Sequence, residues 1–293
     1  NTMEDVAKFA DLYFKSDKDT LEKLKTNMLL IGPTGVGKTH IVDALADIFG
    51  AHKFRITPTD LIPVGGATKS PSTRAALANK LAEHSKIVLH IDELDKLYNY
   101  DGSEWTQSNR TEVLGILERE VDWQQVTSGS KRSFVSSNQN RSQVDAQSLA
   151  KWFRENVFIV GSGTWQDLYR KNINNHNQCP IGFHPNIEQE NRSDPNQGLS
   201  REIIRDSGEI PDEILRRFHG KVQPLYYPDL EETDQLLQKH GLYELAAKAG
   251  ERLQAADICW DKNGGLSIIN DLRTELLVKT RGVDFSTLMS QYA

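Results

Sequence analysis

Met28-Leu29-Leu30-Ile31-Gly32-Pro33-Thr34-Gly35-Val36-Gly37-Lys38-Thr39 is the stretch on which the fold turns. Its first four residues make a short buried-strand run, and the glycines and proline behind them forbid continuation of either regular element. Ile41, Leu45, Ile48 and Phe49 then recur at i, i+4, i+7 and i+8, the apolar stripe of a helix, with Gly50 placed to cap its C-terminus. Strand, glycine loop and helix follow one another, and residues 32–39 satisfy the pattern G-x-x-x-x-G-K-[ST] in the context it requires. Glycines let successive backbone N–H groups turn inward on phosphate oxygens, and the N-terminal end of the helix adds a positive field. Gly32, Pro33, Thr34, Gly35, Val36 and Gly37 build that cradle, Lys38 reaches the outer phosphates, and Thr39 offers a hydroxyl to Mg2+.

Upstream, residues 6–25 read as one or two amphipathic helices, with Val6, Phe9, Ala10, Leu12, Tyr13, Phe14, Leu21 and Leu24 as the apolar positions. Downstream, residues 54–56 read as a second strand. Residues 72–84 read as a helix with Ala75, Ala76 and Leu81 inward, and residues 87–91 as a third strand. Residues 112–120 are expected to be helical, and residues 157–160 restore a buried strand. Strands alternating with helices define a parallel α/β sheet flanked by helices. Two polar insertions, about 124–147 and 171–200, are rich in Ser, Asn and Gln and are expected outside any core. Pro224 and Pro228 bracket a break, after which only helical patterns remain, at 231–240, 242–256 and 266–279. The expected domains are therefore a large α/β domain, 1–228, and a small all-helical domain, 229–293.

The third strand, Ile87-Val88-Leu89-His90-Ile91, delivers Asp92 and Glu93 at its C-terminal end, where open parallel sheets bind ligands. Asp92 suits a Mg2+ ion held through its water shell, and Glu93 suits orientation and deprotonation of an attacking water. His90 is the odd residue of that strand and reads as a histidine on one sheet face with a satisfied hydrogen bond, in preference to a metal ligand.

With 293 residues, 38% hydrophobic and 26% charged, the chain lies in the range of folded globular proteins. Lys plus Arg number 35 against 41 for Asp plus Glu, a net charge of −6, which argues against coating nucleic acid or a membrane surface. No apolar run approaches the roughly 20 residues of a membrane span. Cys179 and Cys259 alone build neither a disulfide framework nor a zinc site, and a reducing cytoplasm fits that usage. Asn1-Thr2-Met3-Glu4-Asp5 is no secretory signal, and the chain reads as compatible with a fragment of something longer.

Residues 27–39, followed by Ile91-Asp92-Glu93-Leu94-Asp95-Lys96, resemble the ATPase module of AAA+ proteins, specifically the ClpX and HslU type. The resemblance spans about residues 25–290. It implies a P-loop NTPase domain followed by a helical lid, with ATP and Mg2+ as cofactors and Thr39 and Asp92 as the metal residues. Residues 158–165 resemble the fourth strand and sensor 1, which makes Ser162 the sensor candidate and Thr164 the second. Residues 208–217 resemble the segment of the arginine finger, with Arg216 at the finger position and Arg217 as substitute. A finger acts on a neighbouring subunit, so the resemblance implies a homo-oligomeric ring, a hexamer in that family. Ile181-Gly182-Phe183 lies where ClpX-type unfoldases carry the same tripeptide as a docking loop for a peptidase.

The sequence departs from that type in two places. Gly264 stands before Gly265-Leu266 where the family carries a sensor 2 arginine, and Arg273 lies two turns on. Ile62-Pro63-Val64-Gly65-Gly66 matches a pore loop without its aromatic, leaving Tyr98, Tyr100 and Trp105 as the residues expected to grip a substrate. The function expected is a ring ATPase that remodels or unfolds a macromolecule, a protein in the first reading. The alternative is an ATP-switched assembly or nucleic-acid-associated factor, with Lys131, Arg132, Arg141 and Arg154 as the basic residues available to a polyanion.

Overall fold

The computed structural model describes residues 2–16, 26–58, 61, 72–97, 104–124, 145–169, 199, 201–218, 221–258, 260 and 265–280. They fall into two compact units, one of residues 1–32 and 38–225, the other of residues 33–37 and 226–293.

The first unit is built on five parallel strands: β1 (Met28–Ile31), β2 (His52–Ile56), β3 (Ile87–Ile91), β4 (Val157–Gly163) and β5 (Lys221–Pro224). Their order is β2-β3-β4-β1-β5. β1, β3 and β4 are buried throughout and are the three apolar runs of the sequence, as expected of strands covered on both faces. β2 and β5 are the edges and only partly buried. β5 has one apolar residue, Val222, and was not legible as a strand. It exists by backbone pairing to β1, with Pro224 at its end, where an edge strand tolerates proline.

Flanking the sheet are α1 (Thr2–Lys15), α2 (Lys38–Phe49), α3 (Thr73–Glu83), α4 (Glu104–Glu118), α5 (Ala146–Asn156), α6 (Arg201–Asp206) and α7 (Asp212–Leu215). Tyr13 of α1 sets its ring 5.4 Å from that of Phe158 and donates its hydroxyl to the Arg154 carbonyl at 2.9 Å. Three expectations shift. α2 buries Val42, Leu45 and Ala46, while Ile48 is 59% exposed. α3, capped by Ser72, which accepts from Ala75 N, buries Thr73, Leu77, Ala78 and Leu81, so Ala75 and Ala76 are not on its innermost stripe. α4 begins at Glu104 and ends two residues before Glu120, whereas 112–120 was the expected span. The polar insertions reach less far than expected at their ends. Asp145 caps α5 by accepting from Ser148 N, and Leu199 is buried.

The second unit contains α8 (Leu230–Lys239), α9 (Leu242–Lys248) and α10 (Ile268–Thr280) around Leu237, Leu242, Ala246, Trp260, Ile268, Ile269 and Leu276. Asp229 and Glu232 form a reciprocal capping box at the start of α8. Trp260 donates its indole N–H to Thr233 Oγ1 at 2.9 Å, so this core is polar at one satisfied point. α9 ends at Lys248, short of the expected 256, because Gly250 takes a left-handed φ of 72° and turns the chain.

Candidate functional site

β3 ends where Asp92 turns back onto the sheet. The parallel register pairs Arg55 of β2 with His90 of β3 and Ile91 of β3 with Gly161 of β4, so Arg55, His90, Asp92 and Ser162 share one face. Ser162 donates its hydroxyl to Asp92 Oδ1 at 2.5 Å, and the Glu93 backbone N–H donates to the same oxygen at 3.0 Å. Arg55 grips Asp92 Oδ2 through Nε at 3.0 Å and Nη2 at 2.8 Å. Burial pushes the Asp92 carboxyl up, but the Ser162 hydrogen bond, His90 and Arg55 outweigh it and hold the group below its ordinary range. Asp92 is thus an oriented anion at neutral pH, the chemistry a Mg2+ site needs.

Glu93 has a left-handed φ of 59°, and its carboxylate pairs with Lys96 at 2.8 Å. His90 is fully buried with Nε2 2.8 Å from Ser162 Oγ, while its Nδ1 has no partner. Its expected satisfied hydrogen bond is therefore present at one ring nitrogen only. Burial pulls the imidazole down to about 4, with Asp92 acting the other way and Lys53 and Arg55 reinforcing the shift, so the ring is neutral at pH 7.

Lys38 opens α2 and donates from Nζ to the Gly32 carbonyl at 2.6 Å. Burial lowers it to about 8, against the field of Asp92 and Asp95. A part-buried ammonium whose charge is disfavoured by its surroundings fits a phosphate. Thr39 beside it is exposed in the first turn of α2. Thr164, the second sensor candidate, donates to Asp95 Oδ2 at 2.6 Å, and Asp95 Oδ1 is buried without a partner. The protons of both sensor candidates, Ser162 and Thr164, thus rest on carboxylates.

Within the second unit, loop residues 33–37 are fastened by their own carbonyls. Tyr227 donates its hydroxyl to Thr34 O at 2.8 Å, and Leu266 its backbone N–H to Gly35 O at 2.7 Å. Gly35 and Gly37 take φ of 83° and 88°, which glycine alone adopts at no steric cost. A Cβ on Gly265 would lie 2.5 Å from the Gly35 backbone, and one on Gly37 would lie 3.1 Å from Leu266 Cδ1. The Gly265-Leu266 pair, noted in the sequence for a missing arginine before it, therefore contacts the loop by backbone.

Arg216 lies just beyond α7. Its neighbours are tied down: Arg217 to Glu118 at 2.5 Å and to the Glu213 carbonyl, and Glu213 to Arg110. Asn27, buried at the start of β1, donates to the carbonyls of Leu117 and Arg217 at 2.7 and 3.0 Å. The Arg216 side chain is exposed and has no hydrogen bond or ion pair among the described residues.

Arg55, Asp95, Tyr227 and the His90–Ser162 contact had not been assigned to the site. Only strand register or long-range packing brings them there, although a lone arginine in a short strand was a signal. The loop 62–66, Tyr98 and Tyr100, Ile181-Gly182-Phe183, Gly264 and the basic residues Lys131, Arg132 and Arg141 lie outside the described residues, as does the side chain of Trp105.

A phosphate loop entering α2, with paired acids at the end of the neighbouring β3, defines a P-loop nucleotide hydrolase of the α/β class. Residues 28–183 match the ATPase family associated with various cellular activities (AAA), and the chain belongs to that family. It is an ATPase. It is also similar to a solved structure reported under "Structural Basis for Katanin Self-Assembly", with 18% identity and a TM-score of 0.45 over 98% of this chain and 72% of that one. No helix among the described residues is long and apolar enough to cross a membrane.

Proposed function

We propose that copies of this chain form a ring that uses ATP hydrolysis to remodel or unfold a protein, as in the ClpX and HslU type it resembles, where the ring is a hexamer. The observation that supports this best is Arg216, an exposed cation whose side chain has no partner among the described residues, beside Glu213 and Arg217, which are both paired. Such a group suits the γ-phosphate of ATP on a neighbouring subunit, and sites completed in trans imply a closed ring.

In this reading Lys38 binds the outer phosphates, and the backbone N–H groups of residues 33–37 surround them. Thr39 and Asp92 would hold Mg2+, which when bound neutralises phosphate charge. Arg55, half exposed on Asp92 Oδ2, supplies the counter-charge in its place. Glu93 orients the attacking water and accepts its proton. Ser162 is the sensor through its contact with Asp92, and Thr164 is the reserve. Substrate grip is assigned to Tyr98, Tyr100 and Trp105, and Ile181-Gly182-Phe183 is the candidate peptidase contact.

ATP turnover measured alone and with an unfolded protein, single-stranded DNA or double-stranded DNA tests the assignment. Stimulation by protein alone is expected. Stimulation by DNA alone, or oligomerisation driven by ATP with no stimulation by either polymer, would replace it with the switched-assembly reading.

A further inference from the structure

His90 is a costly residue for its position. It stands fully buried in the central part of an all-parallel sheet, in a strand whose other four residues are Ile, Val, Leu and Ile. An apolar residue there would leave no lone pair unsatisfied, whereas His90 Nδ1 has no partner, and an unmet buried acceptor is unfavourable.

The hydrogen bonds say what the ring does. Asp92, an anion, can only accept, so the proton on the 2.5 Å contact comes from Ser162. A hydroxyl has one proton. Ser162, having given it to Asp92, must accept at the 2.8 Å contact, and the donor is therefore His90 Nε2–H. This fixes the tautomer and leaves the lone pair on Nδ1, the atom that is unpartnered. The chain of donors runs one way, from His90 to Ser162 to Asp92 Oδ1. Arg55 closes the other side at Oδ2.

We propose that His90 is a positioning residue: by donating to Ser162 it commits that hydroxyl's proton to Asp92 and so fixes the rotamer in which the Asp92 carboxylate meets Mg2+ and nucleotide. Without the imidazole N–H, Ser162 Oγ keeps one of the two bonds that fix it, and the carboxylate is held by a less oriented donor. The unmet Nδ1 is the local penalty for that alignment. The inference rests on Asp92 as the metal residue, and the test separates the two.

The full chain is titrated with a fluorescent, non-hydrolysable ATP analogue with and without Mg2+, and the ratio of the two dissociation constants is the readout, alongside kcat, KM and a thermal melt. Asp92→Ala tests the metal assignment: if it keeps the parental ratio, that assignment fails whatever His90 does. If it loses the ratio, His90→Leu is expected to lower it by about three- to tenfold, the weight of one hydrogen bond, and His90→Gln to recover most of the loss because its amide N–H reaches Ser162. In the Ser162→Ala background His90→Leu should cause no further change, since the residue acts through that hydroxyl. A parental ratio in His90→Leu, or losses that multiply in the double variant, would overturn the inference. Should His90→Leu not fold, His90→Asn takes its place. Its shorter amide cannot reach Ser162, so loss with Asn and retention with Gln supports the proposal, and equal behaviour of the two refutes it.

Discussion

Gly265→Ala is the sharpest test of how the helical unit holds the phosphate loop. Gly265 has φ of 71°, and the left-handed region is unfavourable to an L side chain by about 1–2 kcal/mol. The added Cβ would sit 2.5 Å from the Cα, C and O atoms of Gly35, about an ångström inside ordinary contact, and all three are backbone that no rotamer change can move. The loop must shift or the 2.7 Å bond from Leu266 N–H to Gly35 O must break, adding about 0.5–1.5 kcal/mol. The total is about 1.5–3.5 kcal/mol, roughly 10- to 400-fold if it falls wholly on nucleotide affinity. Gly250 has nearly the same φ, 72°, with nothing within 4 Å of its Cβ position, so Gly250→Ala carries the conformational part alone. Fluorescent-nucleotide titration and thermal melts of both variants separate the contributions. If Gly265→Ala binds nucleotide within twofold of the parent and melts no lower than Gly250→Ala, the loop is not held as described.

Lys38→Ala should lose nucleotide binding by at least about tenfold, since it removes a charge-assisted contact to phosphate from a part-buried site; unchanged affinity by equilibrium titration would refute the loop assignment. Glu93→Gln should bind ATP as the parent does and hydrolyse it about 10²–10⁴ times more slowly, read by phosphate release, and ordinary turnover would move the base elsewhere. Glu93→Gly should be as inactive yet melt no lower than Glu93→Gln, because both lose the Lys96 pair and only glycine relieves the φ of 59°. Arg216→Ala should keep nucleotide binding and lose roughly 10³–10⁵ in hydrolysis. Adding Lys38→Ala subunits, which carry an intact Arg216, should partly restore turnover, and no rescue in mixed rings shown to form counts against action in trans.

Most of the sheet was legible because β1, β3 and β4 are built around apolar runs buried on both faces, broken only by His90 in β3 and by the Gly161-Ser162-Gly163 end of β4. The helices were legible as elements and less so in orientation. In α2 a choice by hydrophobicity favours Ile48, yet Ala46 is buried and Ile48 exposed. Close approach to a sheet rewards a small residue that a hydrophobicity scale undervalues. β5 was hidden because an edge strand held by its backbone need not be apolar. In the site, the loop and the Asp92-Glu93 pair could be read from local order, since the chemistry demands those residue types in sequence. Arg55 could not, because its contact with Asp92 exists only once β2 and β3 are set in register. The same holds for Tyr227 and Thr34, which lie far apart in sequence and meet through one hydrogen bond.

Glu93 shows why the end of β3 breaks local rules. A strand continued past Asp92 would carry residue 93 to the opposite face, away from its neighbour's carboxylate. The left-handed turn redirects it, and the Glu93 N–H, freed from the ladder, donates to Asp92 Oδ1 at 3.0 Å. Glycine would adopt that turn with less strain, but only glutamate brings a carboxylate to it. The conformation, unfavourable by about 1–2 kcal/mol, is therefore held by surrounding bonds: Lys96 N–H to the Glu93 carbonyl at 3.0 Å, the Lys96 ammonium to its carboxylate, and Asp92 N–H to the Ile56 carbonyl at 2.9 Å. Those bonds belong to β2, β3 and the turn at Leu94–Leu97.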